Sequence, residues 1–210
     1  MTTAQQIANA LDLAVLQPTA TSDDVRCACA LANKHGIKSV CVAPVYTRLA
    51  TSLFHNVSTV IGFPYGNAIP DVKYFEAIGA IRDGARELDV VVNYGRFLDG
   101  DPVTLITELA LIVSLGVPVK AILETCYYTR SQIIVASKHC VDCGVDWVKT
   151  STGFGKGGAN TLVVQAILDA VNGQCGVKAS GGIKSYDDAR TYLDMGCTRL
   201  GAGNYHLLLP

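Results

Sequence analysis

Gly144-Val145-Asp-Trp-Val-Lys149 and, upstream of it, Gly116-Val117-Pro-Val-Lys-Ala-Ile-Leu123 share one design: a glycine closes a longer helical stretch and a short, largely β-branched run follows. The same unit recurs at Gly36 before residues 37–42 and at Gly84 before residues 87–92. Gly176 precedes residues 177–179 in the same way, and Gly196 precedes residues 197–200. Glycine most easily takes the left-handed conformation that ends a helix, so these six glycines read as helix stops feeding strands. Residues 11–16 and 57–61 bring the strands to eight. Helix starts are marked as well. Thr21 with Asp24, and Ser185 with Asp188, have capping-box spacing, with Asp in place of the usual Glu. Strands alternating with helices imply parallel strands joined by right-handed crossovers. Eight units in 210 residues leave 210/8, about 26, for each. That suits a compact (β/α)8 TIM barrel, a fold that typically needs about 250 residues. A doubly wound open sheet is the alternative, and the count of eight favours the closed barrel.

Composition agrees with a large packed core in one domain over residues 1–210. Half of the 210 residues are hydrophobic and 17% are charged, which excludes a disordered or fibrous chain. Seventeen Lys and Arg against eighteen Asp and Glu give a net charge of −1. Neither a basic stripe for nucleic acid nor a polybasic membrane patch is visible. The apolar segment 105–123 is cut by Glu108 and Lys120, so no stretch reads as a membrane span. The N-terminal residues Met1-Thr-Thr-Ala-Gln-Gln6 lack the pattern of a secretory signal, and a reduced cytoplasmic setting is expected for the eight cysteines. Cys140-Val-Asp-Cys143 has redox or zinc spacing, but no second such pair completes a four-ligand site. Small buried thiols are the simpler reading.

Charge appears where parallel strands should be continuously apolar. Asp89, Lys120, Lys149 and Lys178 all lie inside strand runs, and Glu124 follows Lys120 on the same side by two-residue alternation. Unpaired charges there are costly, so a functional cluster is one explanation. The other places each charge on the outer face, its stem lying between helices. Lysines in three successive strands weigh toward the cluster. Glycine-rich turns lie between and after these strands: Gly62-Phe-Pro-Tyr-Gly66, Gly153-Phe-Gly-Lys-Gly-Gly158, Gly181-Gly182 and Gly201-Ala-Gly203. In a barrel they fall at the C-terminal rim, and the loops after strands seven and eight are a frequent phosphate seat. Their amides suit an anion nest beside the helix capped at Ser185. Tight turns alone are the plainer reading of any one of them.

Three runs, Trp147-Val-Lys-Thr-Ser-Thr-Gly-Phe154, Glu87-Leu-Asp-Val-Val-Val-Asn93 and Val177-Lys-Ala-Ser-Gly-Gly-Ile183, together resemble the deoxyribose-phosphate aldolases. Leu11-Asp-Leu-Ala-Val-Leu-Gln-Pro-Thr-Ala-Thr21, Gly62-Phe-Pro-Tyr-Gly66 and Val119-Lys-Ala-Ile-Leu-Glu-Thr125 extend the resemblance in the family's order from about residue 11 to 200. It implies a (β/α)8 barrel and a class I aldolase with no metal and no cofactor. Such an enzyme splits 2-deoxy-D-ribose 5-phosphate into acetaldehyde and D-glyceraldehyde 3-phosphate. It further implies small sugar phosphates and aldehydes as the only ligands, and a homodimer. Carried onto this sequence, Lys149 is the Schiff-base nucleophile, Lys178 its neighbouring cation and Asp89 the proton relay. Substrate contacts are expected from Asp12, Lys120 and Thr150, and from the rim residues Gly153, Gly181, Gly182, Gly201, Gly203 and Asn204. The chemistry is sound independently: a lysine near pKa ~10.4 is protonated at neutral pH, and a second ammonium close by opposes its charging.

The sequence departs from the family at both ends of the site. Leu13-Ala14 follow Asp12 where the family commonly has His-Thr. Gly203-Asn204 stand where two serines often help bind phosphate, with Lys156 or Lys184 as substitutes, and the chain up to Pro210 leaves little room for a closing helix. Two alternatives therefore stay open. One is a Schiff-base aldolase taking a different or unphosphorylated acceptor aldehyde; the other is a non-catalytic barrel that binds a sugar phosphate.

Overall fold

The computed structural model describes residues 2–208. Eight parallel strands close in sequence order: β1 (Leu11–Val15), β2 (Ser39–Val42), β3 (Val57–Ile61), β4 (Glu87–Val91), β5 (Val119–Ile122), β6 (Trp147–Lys149), β7 (Gly176–Ser180) and β8 (Arg199–Ala202), with β8 pairing back onto β1. The protein is a compact (β/α)8 barrel. Helix α1 (Ala4–Ala10) leads into β1, and α2 (Ser22–His35), α3 (Thr47–Thr51) and α4 (Pro70–Arg82) follow the first three strands. Next come α5 (Tyr94–Leu98), α6 (Pro102–Val113), α7 (Arg130–Asp142), α8 (Thr161–Val171) and α9 (Tyr186–Asp194), and a single turn, α10 (Tyr205–Leu208), follows β8. The terminal Pro210 lies outside the described residues. No helix among them is long and apolar enough to cross a membrane.

Five of the six glycines do end helices in the left-handed region: Gly36 caps α2 at φ 64°, and Gly84, Gly116, Gly144 and Gly196 have φ between 77° and 113°. Gly176 corrects the sixth. It is the first residue of β7, and α8 ends instead at Asn172 and Gly173, at φ 46° and 73°. Gly176 is glycine for space: a Cβ there would stand 2.3 Å from the Trp147 ring. Thr21 and Asp24 form the full capping box of α2. Ser185 caps α9 through the Asp188 N–H, but the Asp188 carboxylate takes the Lys184 N–H rather than closing a box.

Alternation along each strand sorts residues between two cores. Outward side chains such as Leu11, Val40, Leu88, Val119, Val148 and Val177 pack against the helices. The charged residues face inward. Cys140 is buried within α7, its thiol pushed well up by burial, and Cys143 ends that helix, so the pair behaves as packed thiols. One further buried ion pair steadies the rim. Lys73 Nζ on α4 meets Glu108 at 2.5 Å and donates to the Val91 carbonyl, while Glu108 accepts the Asn93 N–H.

Candidate active site

Lys149 ends β6, and the register sets it beside Lys178 on β7 and Ile122 on β5. Asp89 on β4 is the hub between them. Its Oδ2 accepts from Lys149 Nζ at 2.7 Å and from Lys178 Nζ at 2.7 Å, and its Oδ1 accepts from Lys120 Nζ at 2.9 Å. Asp12 on β1 stands across the barrel, 2.5 Å from Lys178 and 3.4 Å from Lys120, and it also binds Arg199 of β8. Glu87, one layer below Asp89, is 2.5 Å from both Lys120 and Arg199. Trp147 closes the layer underneath, with the Arg199 guanidinium 4.9 Å and the Lys120 ammonium 5.8 Å from its ring centre. Every charged member is buried.

A cavity of about 240 Å³ opens above this network at the C-terminal ends of the strands. Asp12, Cys41, Lys149 and Lys178 line its floor, and Gly153, Gly181, Gly182, Gly201, Gly203 and Asn204 line its wall with Lys184. Gly201 is small for a reason: a Cβ there would lie 2.6 Å from Ser180 Oγ and 3.0 Å from the Lys178 stem. Glu124 holds the neighbouring loop. It adopts a left-handed φ of 56°, accepts from the Thr152 hydroxyl and N–H, and has its carboxyl pushed up by burial.

Electrostatics separates the two upper lysines. Burial lowers the Lys149 pKa; Asp89 opposes this and the Lys178 charge adds to it, and the balance stays below the ordinary lysine value. Burial acts the same way on Lys178, but Asp12 and Asp89 outweigh it, so Lys178 is held above its ordinary value as an ammonium. Burial alone would raise both aspartates. Lys120, Lys178 and Arg199 instead hold Asp12 at about 2, and the three lysines hold Asp89 well below the carboxylate range. The site therefore presents one amine that loses its proton more easily than an ordinary lysine beside one that is held as an ammonium. Burial raises the Cys41 thiol, which stays protonated. Among the described residues no three His, Cys, Asp or Glu side chains stand where they could hold a metal ion.

The model of the DeoC/LacD family aldolases matches residues 6–204. The chain belongs to that aldolase family. It is 40% identical over 205 residues to the deoxyribose-phosphate aldolase of Thermoanaerobacter sp. (strain X514), covering 93% of this chain and 92% of that one. The enzyme of that name from Microcystis aeruginosa is 42% identical over 200 residues, covering 93% of this chain and 88% of that one. Among solved structures, an aldolase called QR15 superposes with a TM-score of 0.93 at 33% identity, over 97% of this chain and 94% of that chain. The deoxyribose phosphate aldolase of Aeropyrum pernix, described as a unique tetramer, gives 0.91 at 33% identity over 99% and 91%.

Within this aldolase fold, two expected substrate contacts, Lys120 and Thr150, lie away from the cavity. Lys120 is fully buried beneath the cavity, its ammonium taken up by Asp89, Glu87 and Asp12, so nothing remains to hold a substrate group. Thr150 is buried too. Its hydroxyl donates to the Ser180 carbonyl and accepts the Ser180 N–H, pinning β6 to β7. Asp12 reaches the cavity floor with both oxygens already on cations. Of the two substitute lysines, Lys184 lines the cavity, whereas Lys156 stands 5.0 Å over the Tyr127 ring. The helix start at α9 is a weaker anion site than expected, because Ser185, Asp187 and Asp188 supply its own acceptors and negative charge. Sequence reasoning passed over Glu87, Arg199 and Cys41. Two-residue alternation was the available signal for two of them: Glu87 precedes Asp89 by two, and Arg199 precedes Gly201 by two.

Proposed function

We propose that the chain is a deoxyribose-phosphate aldolase, a lyase that reversibly cleaves 2-deoxy-D-ribose 5-phosphate to acetaldehyde and D-glyceraldehyde 3-phosphate in deoxynucleoside breakdown. The observation that carries this reading is the pairing of Lys149 and Lys178 on one oxygen of Asp89 at the cavity floor. The Lys149 amine adds to the C1 aldehyde of the open-chain sugar, and loss of water leaves a cationic imine. The C3 hydroxyl then gives its proton through a water to Asp89, which lies just beneath the cavity floor, as the C2–C3 bond electrons move into the imine. Glyceraldehyde 3-phosphate leaves. The remaining enamine takes a proton at C2, and hydrolysis returns acetaldehyde and the free amine. Lys178 stays charged throughout and keeps Lys149 unprotonated between turnovers, and the glycine rim with Lys184 and Asn204 receives the phosphate. Incubation with acetaldehyde and borohydride tests this: an ethylated Lys149 peptide is the expected product. Labelling of Lys178 or Lys120 instead would overturn the assignment, and no labelling at all would favour a sugar-phosphate binder.

The working unit on this reading is a homodimer. Ile69 before α4 and Val72 and Phe75 on it are 62%, 52% and 70% exposed, three large apolar side chains close together in the chain. Exposed apolar side chains of this size suit a second copy of the chain across a two-fold axis. Phe75→Glu should therefore turn a dimer into a monomer by light scattering; a wild-type chain already monomeric at micromolar concentration would rule the pairing out.

A further inference from the structure

Three permanent cations face three carboxylates inside the barrel: Lys120, Lys178 and Arg199 against Asp12, Glu87 and Asp89. Among the described residues, Lys149 is the one additional amine in contact with them. The set is neutral when Lys149 is uncharged, and carries a buried +1 when it is protonated. We infer that Arg199 and Glu87, neither of which reaches the cavity, are positioning residues that fix the protonation state of the Lys149 nucleophile by completing this balance. The inference rests on Lys149 being the nucleophile.

The geometry routes their influence through shared partners. Arg199 holds one oxygen of Asp12 while Lys178 holds the other, at 2.5 Å. Arg199 also binds Glu87 Oε1 at 2.5 Å, and Glu87 Oε2 lies 2.5 Å from the Lys120 ammonium that donates to Asp89. The remaining groups facing Lys149 leave the sum unchanged. Cys41 on β2 is a neutral thiol, β3 presents no titratable group inward, and Glu124 turns its carboxyl to Thr152, with burial and those hydrogen bonds acting on it more strongly than the Lys149 charge. A net charge in a dry interior is expensive, so the titratable member adjusts to the others. Burial already lowers Lys149. The ionic balance decides how far that lowering survives beside Asp89.

Removing either partner should shift the amine in opposite directions. Arg199→Met leaves an excess of negative charge and favours protonated Lys149; Glu87→Gln leaves an excess of positive charge and disfavours it. The measurement is the rate of borohydride-trappable imine formation with acetaldehyde as a function of pH, with the label mapped. For Arg199→Met the acid limb should move alkaline by about one unit or more, so that trapping at pH 7 falls roughly tenfold or more. For Glu87→Gln it should move toward acid. The double variant, with two cations against two carboxylates, should return to within a few tenths of a unit of wild type, and so should Arg199→Lys. If Arg199→Met does not fold, the acid shift of Glu87→Gln alone decides. Single variants that merely lose rate, or that shift the same way, would show a packing role and overturn the inference. Wild-type label on another lysine overturns the functional reading itself, and the inference with it.

Discussion

Lys178→Leu is expected to move the acid limb of the kcat/KM profile to higher pH by up to about 3 units, and so to lower activity at pH 7 by up to about a thousandfold. Two unit charges roughly 4 Å apart at an effective dielectric of about 20 repel by ~4 kcal/mol, which sets the upper end. The sign follows from the geometry. Burial and the Lys178 charge both lower the Lys149 pKa, and Asp89 raises it. Deleting Lys178 removes one lowering influence and leaves Lys120 as the one cation that Asp12 and Asp89 still share, so the raising influence grows. Lys149 then rests as an ammonium and attacks only at alkaline pH. The fold should hold, because Arg199 and Lys120 still neutralise Asp12, and Lys120 still neutralises Asp89. Removing one partner of a buried pair costs about 3–5 kcal/mol when the other charge is left alone, and here each aspartate keeps a cation. A pH series on the variant checks this beside its far-UV circular dichroism. An unshifted profile in a folded variant would remove the electrostatic role of Lys178.

Much of this site was legible because a barrel interior turns sequence alternation into geometry. Asp89, Lys120, Lys149 and Lys178 were conspicuous as charges in apolar runs, and all four face inward. Depth was not legible. Lys120 and Lys149 look alike in sequence, yet the stagger of the strands puts one beneath the cavity in ion pairs and the other at its floor. Arg199 lies two residues before a rim glycine and Glu87 begins its strand, places where charge is ordinarily solvated, and only the closed cylinder brings the two together. Gly176 misled for a related reason. A glycine serving a left-handed turn and one making room for an indole are the same letter, and the difference appears only once β6 and β7 lie side by side.

At the phosphate end, 2-deoxyribose 5-phosphate should remain preferred over 2-deoxyribose, and Gly203→Ser with Asn204→Ser should widen that preference. Backbone N–H groups, the main phosphate donors in this fold, do not depend on side-chain identity. Gly181, Gly182 and Gly203 give the anion close access to them, and Lys184 adds charge. Two serine hydroxyls, as the family resemblance implies, would each add a hydrogen bond to a dianion worth about 1.5–3 kcal/mol. Each such bond is roughly a tenfold to hundredfold effect. Asn204 already returns part of one through its amide, so the double variant should raise the ratio of kcat/KM for the two sugars by about ten- to a hundredfold. The backbone accepts the change. Gly203 is not in the left-handed region, and a Cβ there meets only the Ala14 carbonyl at 3.2 Å, which must yield by a few tenths of an ångström. Asn204→Ser alone, which needs no such yielding, should give a smaller shift in the same direction. If neither variant changes the ratio, the phosphate is held without residues 203 and 204, and the glycine turn after β7 with Lys184 becomes its whole seat.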